Sequence, residues 1–360
     1  MTLLAPLVPV NRRLFKDNSC QERVINHSQP QELYLEQQFD FLPSGFLVSP
    51  TKLLMFQYFW KIMYTFLQVF RHGDDTPQEF FPTDKHKEVA RQQGYGQLTK
   101  LGIQKQYELG QYTRRRYSHF LNIAYKQCEI FVQSTDCDQT LMSAQASLAG
   151  LYPPTQNQIW NPSILWQPIP VHTVPLSHDN LLYLPFPHCP KYNELLRETF
   201  ATRDFQRQFK HYKVINNYTL PVWATHGVRT KLIKLSELLL QAEFGFHKQI
   251  QKSRLQGGNG RAENEGCIMN SHAATIVALQ MALNVFNGKL PPYSACQFFE
   301  LYQEKNGQYT IEMYYRNNSL RDPHPLTLPG CKFRCPLERF AQLVSPVLVH
   351  HWTRECRIKT

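Results

Sequence analysis

The sequence predicts an α/β fold, a mostly parallel sheet flanked by helices, and two observations predict it. Met63-Tyr64-Thr65-Phe66-Leu67-Gln68-Val69-Phe70 is a nearly continuous apolar run, the pattern of a buried strand. Beyond it, helical and strand patterns alternate, as they do in a chain that covers a sheet with helices. The first strand runs directly into Arg71-His72-Gly73-Asp74-Asp75-Thr76-Pro77. Gly73 allows a sharp turn there, and Pro77 stiffens the exit. A cation and an imidazole are thereby set at the carboxyl edge of a sheet, where open α/β folds bind ligands.

Residues 1–62 carry no pattern that assigns them; Ser28 to Pro50 is rich in Gln, Pro and Ser and reads as loop. Leu53 to Phe70 is apolar enough to suggest a membrane span, but Gln57, Lys61 and Gln68 interrupt it, and a strand with an apolar lead-in is preferred. Phe80 to Gln93 is polar and loop-like. Leu98 to Phe120 reads as a helix through Leu98, Leu101, Leu109 and Tyr112, with Lys105 interrupting that side. Ile130-Phe131-Val132 reads as a strand ending at Gln133-Ser134-Thr135-Asp136, and Asp138 to Leu151 as a helix.

Pro153 to Pro187 is Pro-rich, carries Trp160 and Trp166, and reads as an extended arm or a loop packed by its own aromatics. Leu232 to Phe244 has a helical pattern. Cys267-Ile268-Met269 is a short strand before His272, and Ala274 to Phe286 a helix. Phe298 to Tyr302 and Tyr309 to Tyr315 form an antiparallel hairpin around Asn306-Gly307. Leu337 to Val347 is a terminal helix.

The chain has 360 residues, 42% of them apolar, and a formal net charge of +11. That charge suits anionic substrates or an idle solvated surface; no long basic run points to nucleic acid. The densest cluster, Arg114-Arg115-Arg116, ends a helical pattern, where cations suit the helix dipole. Nine cysteines favour the secretory route, and none has paired zinc-type spacing; no metal or other cofactor is expected. Cys331 and Cys335 read as a tight disulfide loop. Sequons stand at Asn26, Asn217 and Asn317. Met1 to Val10 is apolar, but Arg12-Arg13 follows it, the wrong order for a secretory signal.

The segment Arg71-His72-Gly73-Asp74-Asp75-Thr76-Pro77 resembles the Arg-His-Gly-x-Arg-x-Pro signature of the histidine acid phosphatases. Further similar stretches are Gly94 to Thr99, Ser134-Thr135-Asp136, Leu141 to Ala144, Trp166 to Leu176, Ala278 to Leu283 and Leu290-Pro291-Pro292-Tyr293. The resemblance runs from about Phe66 to about Cys356. It implies an α/β domain from residues 63–180 and 267–360, and a smaller, mainly helical domain from residues 181–266. That domain is shortened here between Phe205 and Asn217 and between Gly257 and Asn270. A homodimer formed through the Pro-rich arm is implied too.

The same resemblance implies the chemistry. A histidine attacks phosphorus, a phosphohistidine forms, and water hydrolyses it. His72 matches that nucleophile, Arg71 a phosphate-binding arginine, and His272 the second histidine. Three positions depart: Asp75 and Gln133 stand where the family carries phosphate-binding arginines, and Ala273 where it carries the aspartate that protonates the leaving group. By resemblance, Cys189 pairs with Cys356 and Cys331 with Cys335, while Cys296 is free or paired with a cysteine such as Cys267. Asn217 and Asn317 match glycosylated positions.

Three readings stay open on these residues. The chain is an active phosphomonoesterase helped by groups such as Lys100 or His172, an impaired member that binds phosphate or a partner, or a damaged copy.

Overall fold

The computed structural model describes residues 61–77, 88, 94–179, 181–183, 189–203, 206–207, 265–347 and 356. Its centre is a seven-stranded sheet. The strands are β1 (Ile62–Arg71), β2 (Ile130–Ser134), β3 (Glu265–Ser271), β4 (Cys296–Gln303), β5 (Tyr309–Arg316), β6 (His324–Leu326) and β7 (Cys335–Pro336). Their order is β2-β3-β1-β4-β5-β6, with β7 also on β5.

β2, β3 and β1 are mutually parallel, whereas β1–β4, β4–β5, β5–β6 and β5–β7 are antiparallel. The α/β class holds, but the sheet is mixed where a mostly parallel one was expected. The reason is local. β4 and β5 are joined by a tight turn at Asn306-Gly307, with Gly307 at φ +80°, and strands joined so closely can pair only antiparallel.

Helices cover both faces. α1 (Lys100–Arg116) and α2 (Asp138–Leu151) lie on one. There Phe66 and Phe70 of β1 meet Leu109 of α1, Leu148 and Leu151 of α2, and Tyr117. α1 and α2 cross tightly: a Cβ at Gly110 would lie 1.9 Å from the Ser147 carbonyl oxygen. α4 (Ala273–Ala282) and α5 (Leu337–Val344) lie on the other face, where Leu67 and Val69 meet Ile276, Leu279 and Phe340. Successive residues of β1 thus feed opposite cores, which explains its continuous apolar run. Fully burying one such side chain stabilises by about 1.5–3 kcal/mol. Among the described residues no helix is long and apolar enough to cross a membrane.

The short strand expected before His272 is seven residues long and pairs on both sides, with β1 and β2. Its polar ends, Glu265 and Asn270-Ser271, hid it from a hydrophobicity reading. α3 (Pro190–Ala201) is a helix within residues 181–266, over which a smaller helical domain was expected. Most of residues 181–266, with Asn217 and the helix expected over Leu232 to Phe244, lie outside the described residues. So do residues 1–60 and most of Phe80 to Gln93.

Disulfides join Cys189 to Cys356 and Cys331 to Cys335. Cys296 carries a free, fully buried thiol, and burial raises its pKa. It cannot reach Cys267, because the two stand on opposite sides of β1, beside Phe70 and Leu67. The Pro-rich arm packs partly on itself through a bond from Trp160 Nε1 to the Trp166 carbonyl, yet Trp160 and Leu165 stay exposed. Asn317 is exposed just past β5.

Candidate active site

The parallel strands β1, β3 and β2 end side by side, so residues 71–72, 271–272 and 133–135 share one edge of the sheet. Backbone bonds lock the edge. The His72 amide donates to the Ser271 carbonyl at 3.1 Å, and the Thr135 amide to the Asn270 carbonyl at 3.2 Å. The loop after β1 is pressed against α1: a Cβ at Gly73 would stand 2.5 Å from the Gly102 carbonyl oxygen. Only glycine allows that approach. Thr99 caps α1 by accepting from the Gly102 amide and donates from its hydroxyl to the Asp74 carbonyl. The Gly73 amide donates to Ser143 Oγ of α2 at 3.0 Å. His72 is therefore mounted on two helices and a sheet.

The His72 ring nitrogen Nδ1 lies 2.9 Å from the Gly73 carbonyl oxygen. A carbonyl only accepts, so Nδ1 carries the proton and Nε2 bears the free lone pair. Burial lowers the His72 pKa, with Asp75 opposing. A neutral ring with a free Nε2 is the nucleophilic form.

His272 stands beside it, the ring centroids 5.4 Å apart at 68°. Its Nε2 lies 3.2 Å from Thr135 Oγ1. Thr135 Oγ1 in turn bonds Thr140 Oγ1, whose proton is taken by the carbonyls of Thr135 and Cys137. The chain of donors therefore gives His272 a proton on Nε2. Burial, His72 and Arg71 push the His272 pKa down to about 4. Both imidazoles are neutral near neutral pH.

Arg71 has burial lowering its pKa against the pull of Tyr293 and Asp75. Its guanidinium stacks on the Tyr293 ring, 3.8 Å from the centroid, and donates to the Pro291 carbonyl at 2.8 Å. Its Nε has no hydrogen-bond partner. Tyr293 bonds Asp75, and burial with that bond raises the phenol to about 12. Gln106 of α1 fastens the assembly, donating to the Arg71 carbonyl and to Ser294 Oγ. The carboxylate of Asp74 pairs with Lys105 at 3.0 Å.

Arg71, His72, His272 and Asp75 come together as the sequence reading requires. Gln133 is buried at the end of β2, and Ala273 is the first residue of α4, directly after His272. The two groups considered as compensation do not join them. Lys100 is exposed at the start of α1, and the His172 ring stacks on Phe131 at 4.9 Å, outside ring contact with either histidine. Lys105, which broke the apolar side of α1, does so because it reaches Asp74. Tyr293 and Thr135 were missed as site residues. Their only signal was membership of two short stretches, Leu290 to Tyr293 and Ser134 to Asp136. Among the described residues no three His, Cys, Asp or Glu side chains are grouped to hold a metal ion.

The sequence profile of the histidine phosphatase superfamily (branch 2) matches residues 49–224, so the likeness begins ahead of Phe66. Human prostatic acid phosphatase is 49% identical over 333 residues, covering 80% of this chain and 86% of that one. Lysosomal acid phosphatase of Xenopus laevis is 42% identical over 334 residues, covering 80% and 77%. Among solved structures, the phytase of Citrobacter braakii superposes with a TM-score of 0.53 at 16% identity, covering 82% of this chain and all of that one, which shows the fold alone. With two imidazoles and an arginine at the carboxyl edge of its parallel strands, the chain belongs to the histidine phosphatase superfamily, branch 2.

Proposed function

We propose that this chain is a histidine acid phosphatase that hydrolyses phosphomonoesters slowly through a phosphohistidine on His72. The observation that carries the reading is the Nδ1 bond to the Gly73 carbonyl, which leaves Nε2 of a neutral ring free beside His272. Nε2 attacks phosphorus as the ester P–O bond breaks, and the alcohol oxygen leaves with the electron pair. Water then attacks the phosphohistidine, releasing inorganic phosphate and restoring His72. Arg71 is the group available to hold the phosphoryl oxygens.

Slowness follows from Ala273, which has no proton to give the leaving oxygen, and from Asp75, whose charge repels phosphate. Loss of a general acid costs about 10²–10⁴-fold. A second reading, phosphate binding without turnover, rests on the same alanine.

The test is hydrolysis of 4-nitrophenyl phosphate at acid pH with trapping of labelled phosphate on His72. Labelling with turnover far below that of human prostatic acid phosphatase supports the proposal. Equal turnover removes the impairment, and neither labelling nor turnover removes the phosphohistidine. The names of the relatives and the two disulfides support a secretory route, with glycans at Asn217 and Asn317. The exposed Trp160 and Leu165 of the arm suit a homodimer, which light scattering on the purified chain would detect.

A further inference from the structure

Asp75 is the one charge in the site whose job is not evident. Its neighbour Asp74 has a cation of its own, Lys105 at 3.0 Å. Asp75 is half-buried, its backbone is fixed by a bridge to Leu98, and its carboxylate accepts from the Tyr293 hydroxyl. Among the described residues it makes no ion pair. It nevertheless lies close enough to Arg71, His72 and Tyr293 to act on each electrostatically, and the rings of His72 and Tyr293 are 5.7 Å apart. A partly desolvated carboxylate held in place with only a phenol donor is poorly compensated. For a simple phosphate ester it is also repulsive. The repulsion becomes attraction if the ester carries its own cation.

We propose that Asp75 is a specificity-determining residue that selects phosphomonoesters of amino alcohols, whose ammonium group lies a few bonds from the phosphate. This rests on the phosphomonoester reading above. The phosphoryl group takes Arg71, with His72 Nε2 behind phosphorus, and the ammonium takes the Asp75 carboxylate. The Tyr293 ring, 5.7 Å from the His72 ring and stacked under Arg71, holds the carboxylate and the guanidinium in fixed relation. Opposite charges on one small ligand thus meet opposite charges on one wall, and a purely anionic competitor meets a repulsive group, so the discrimination has an attractive and a repulsive part.

The experiment compares two non-hydrolysable probes that differ only in the amine, 2-aminoethylphosphonate and ethylphosphonate. Binding of each to the full chain is measured by calorimetry at pH 6. The expected result is about tenfold tighter binding of the amino compound, falling to within about twofold in Asp75→Asn, which keeps an oxygen acceptor for Tyr293. Equal binding of the two probes to the parent chain overturns the assignment of Asp75 and leaves the phosphomonoester reading intact. That outcome needs no variant to fold. If neither probe binds and His72 takes no label, the phosphomonoester reading fails and this inference falls with it.

Discussion

Two pairs of carboxylates, one on each half of the sheet, are treated in opposite ways. On the antiparallel half, Glu300 of β4 and Glu312 of β5 stand directly opposite each other and are almost wholly buried. Facing like charges should be ruinous there. Instead every oxygen is occupied. Arg116 pairs with Glu300 at 2.6 Å, and Lys61 and Arg334 with Glu312. Tyr117 and Tyr302 donate to Glu300, and Tyr314 to Glu312. The Arg116 guanidinium also lies 4.4 Å from the Tyr314 ring centre. On the parallel half, Asp74 and Asp75 sit at the site edge with one cation and one phenol between them. In the Glu300–Glu312 pair, buried charge is satisfied in full. At the edge that holds His72, groups are left partly unmet, as Asp74 Oδ2 and Arg71 Nε are.

That contrast can be broken most decisively at His72, the proposed nucleophile. His72→Ala should abolish phosphohistidine labelling and lower turnover by at least about 10⁴-fold, with the melting temperature nearly unchanged. A large stability loss would mean that His72 belongs to the structural half of the comparison.

The converse substitution comes next. Glu300→Ala strands Arg116 and should cost about 3–5 kcal/mol of folding stability in chemical denaturation. Binding of phosphate to the surviving folded fraction should be unaltered. If stability hardly moves, the network is not the compensated pair described above.

Acid should expose the site's incomplete compensation. The His272 pKa, about 4 when folded, lies below its ordinary value of 6.5. Between those values the unfolded chain binds a proton that the folded one refuses, so stability falls as pH drops from about 6.5 to about 4, by up to about 3 kcal/mol. His72, lowered for the same reason, adds in the same direction. Denaturation midpoints measured across that window should flatten in His272→Asn; an unchanged slope would detach the effect from His272.

Ala273→Asp should raise turnover on an alkyl phosphate by about 10²-fold or more, because a poor leaving group needs the proton most. The gain on 4-nitrophenyl phosphate should be smaller. An equal gain on both esters would point to electrostatics and not to proton donation.

The smallest effect concerns anion binding. Asp75→Arg should improve inorganic phosphate affinity about tenfold and by more than Gln133→Arg, since it removes a repulsion as well as adding a planar fork. Equal gains from the two variants would assign Asp75 no repulsive role.

Much of this was legible in the residues themselves. The apolar run of β1, the hairpin around Asn306-Gly307, and the helix beginning at Asp138 are written in periodicity and turn chemistry, which act over a few neighbours. So was the edge position of His72, because a strand followed by Arg-His-Gly ends where the chain must turn. The identities at Asp75, Gln133 and Ala273 could be read off one position at a time. β3 was underestimated because its ends are polar and its pairing on both sides is supplied by residues far along the chain. The Arg114-Arg115-Arg116 cluster closes the last turn of α1, as expected of helix-end charge. Two of its members also hold partners outside the helix, Arg114 on the nearby carbonyls of Leu121 and Asn122 and Arg116 on the distant Glu300.

The sequence by itself determined most of the elements and the place of His72 at the end of β1, because backbone sterics, side-chain period and residue identity are local properties. Tertiary structure alone decided who meets whom. It chose the tautomer of His72 through the Gly73 carbonyl, and brought the Pro291 carbonyl to Arg71 from 220 residues away. It also set Cys296 and Cys267 on opposite sides of β1. The physical reason is register. Once β1 pairs with β3 on one side and β4 on the other, every side chain at the edge is assigned its neighbours, and no stretch of sequence carries that assignment alone.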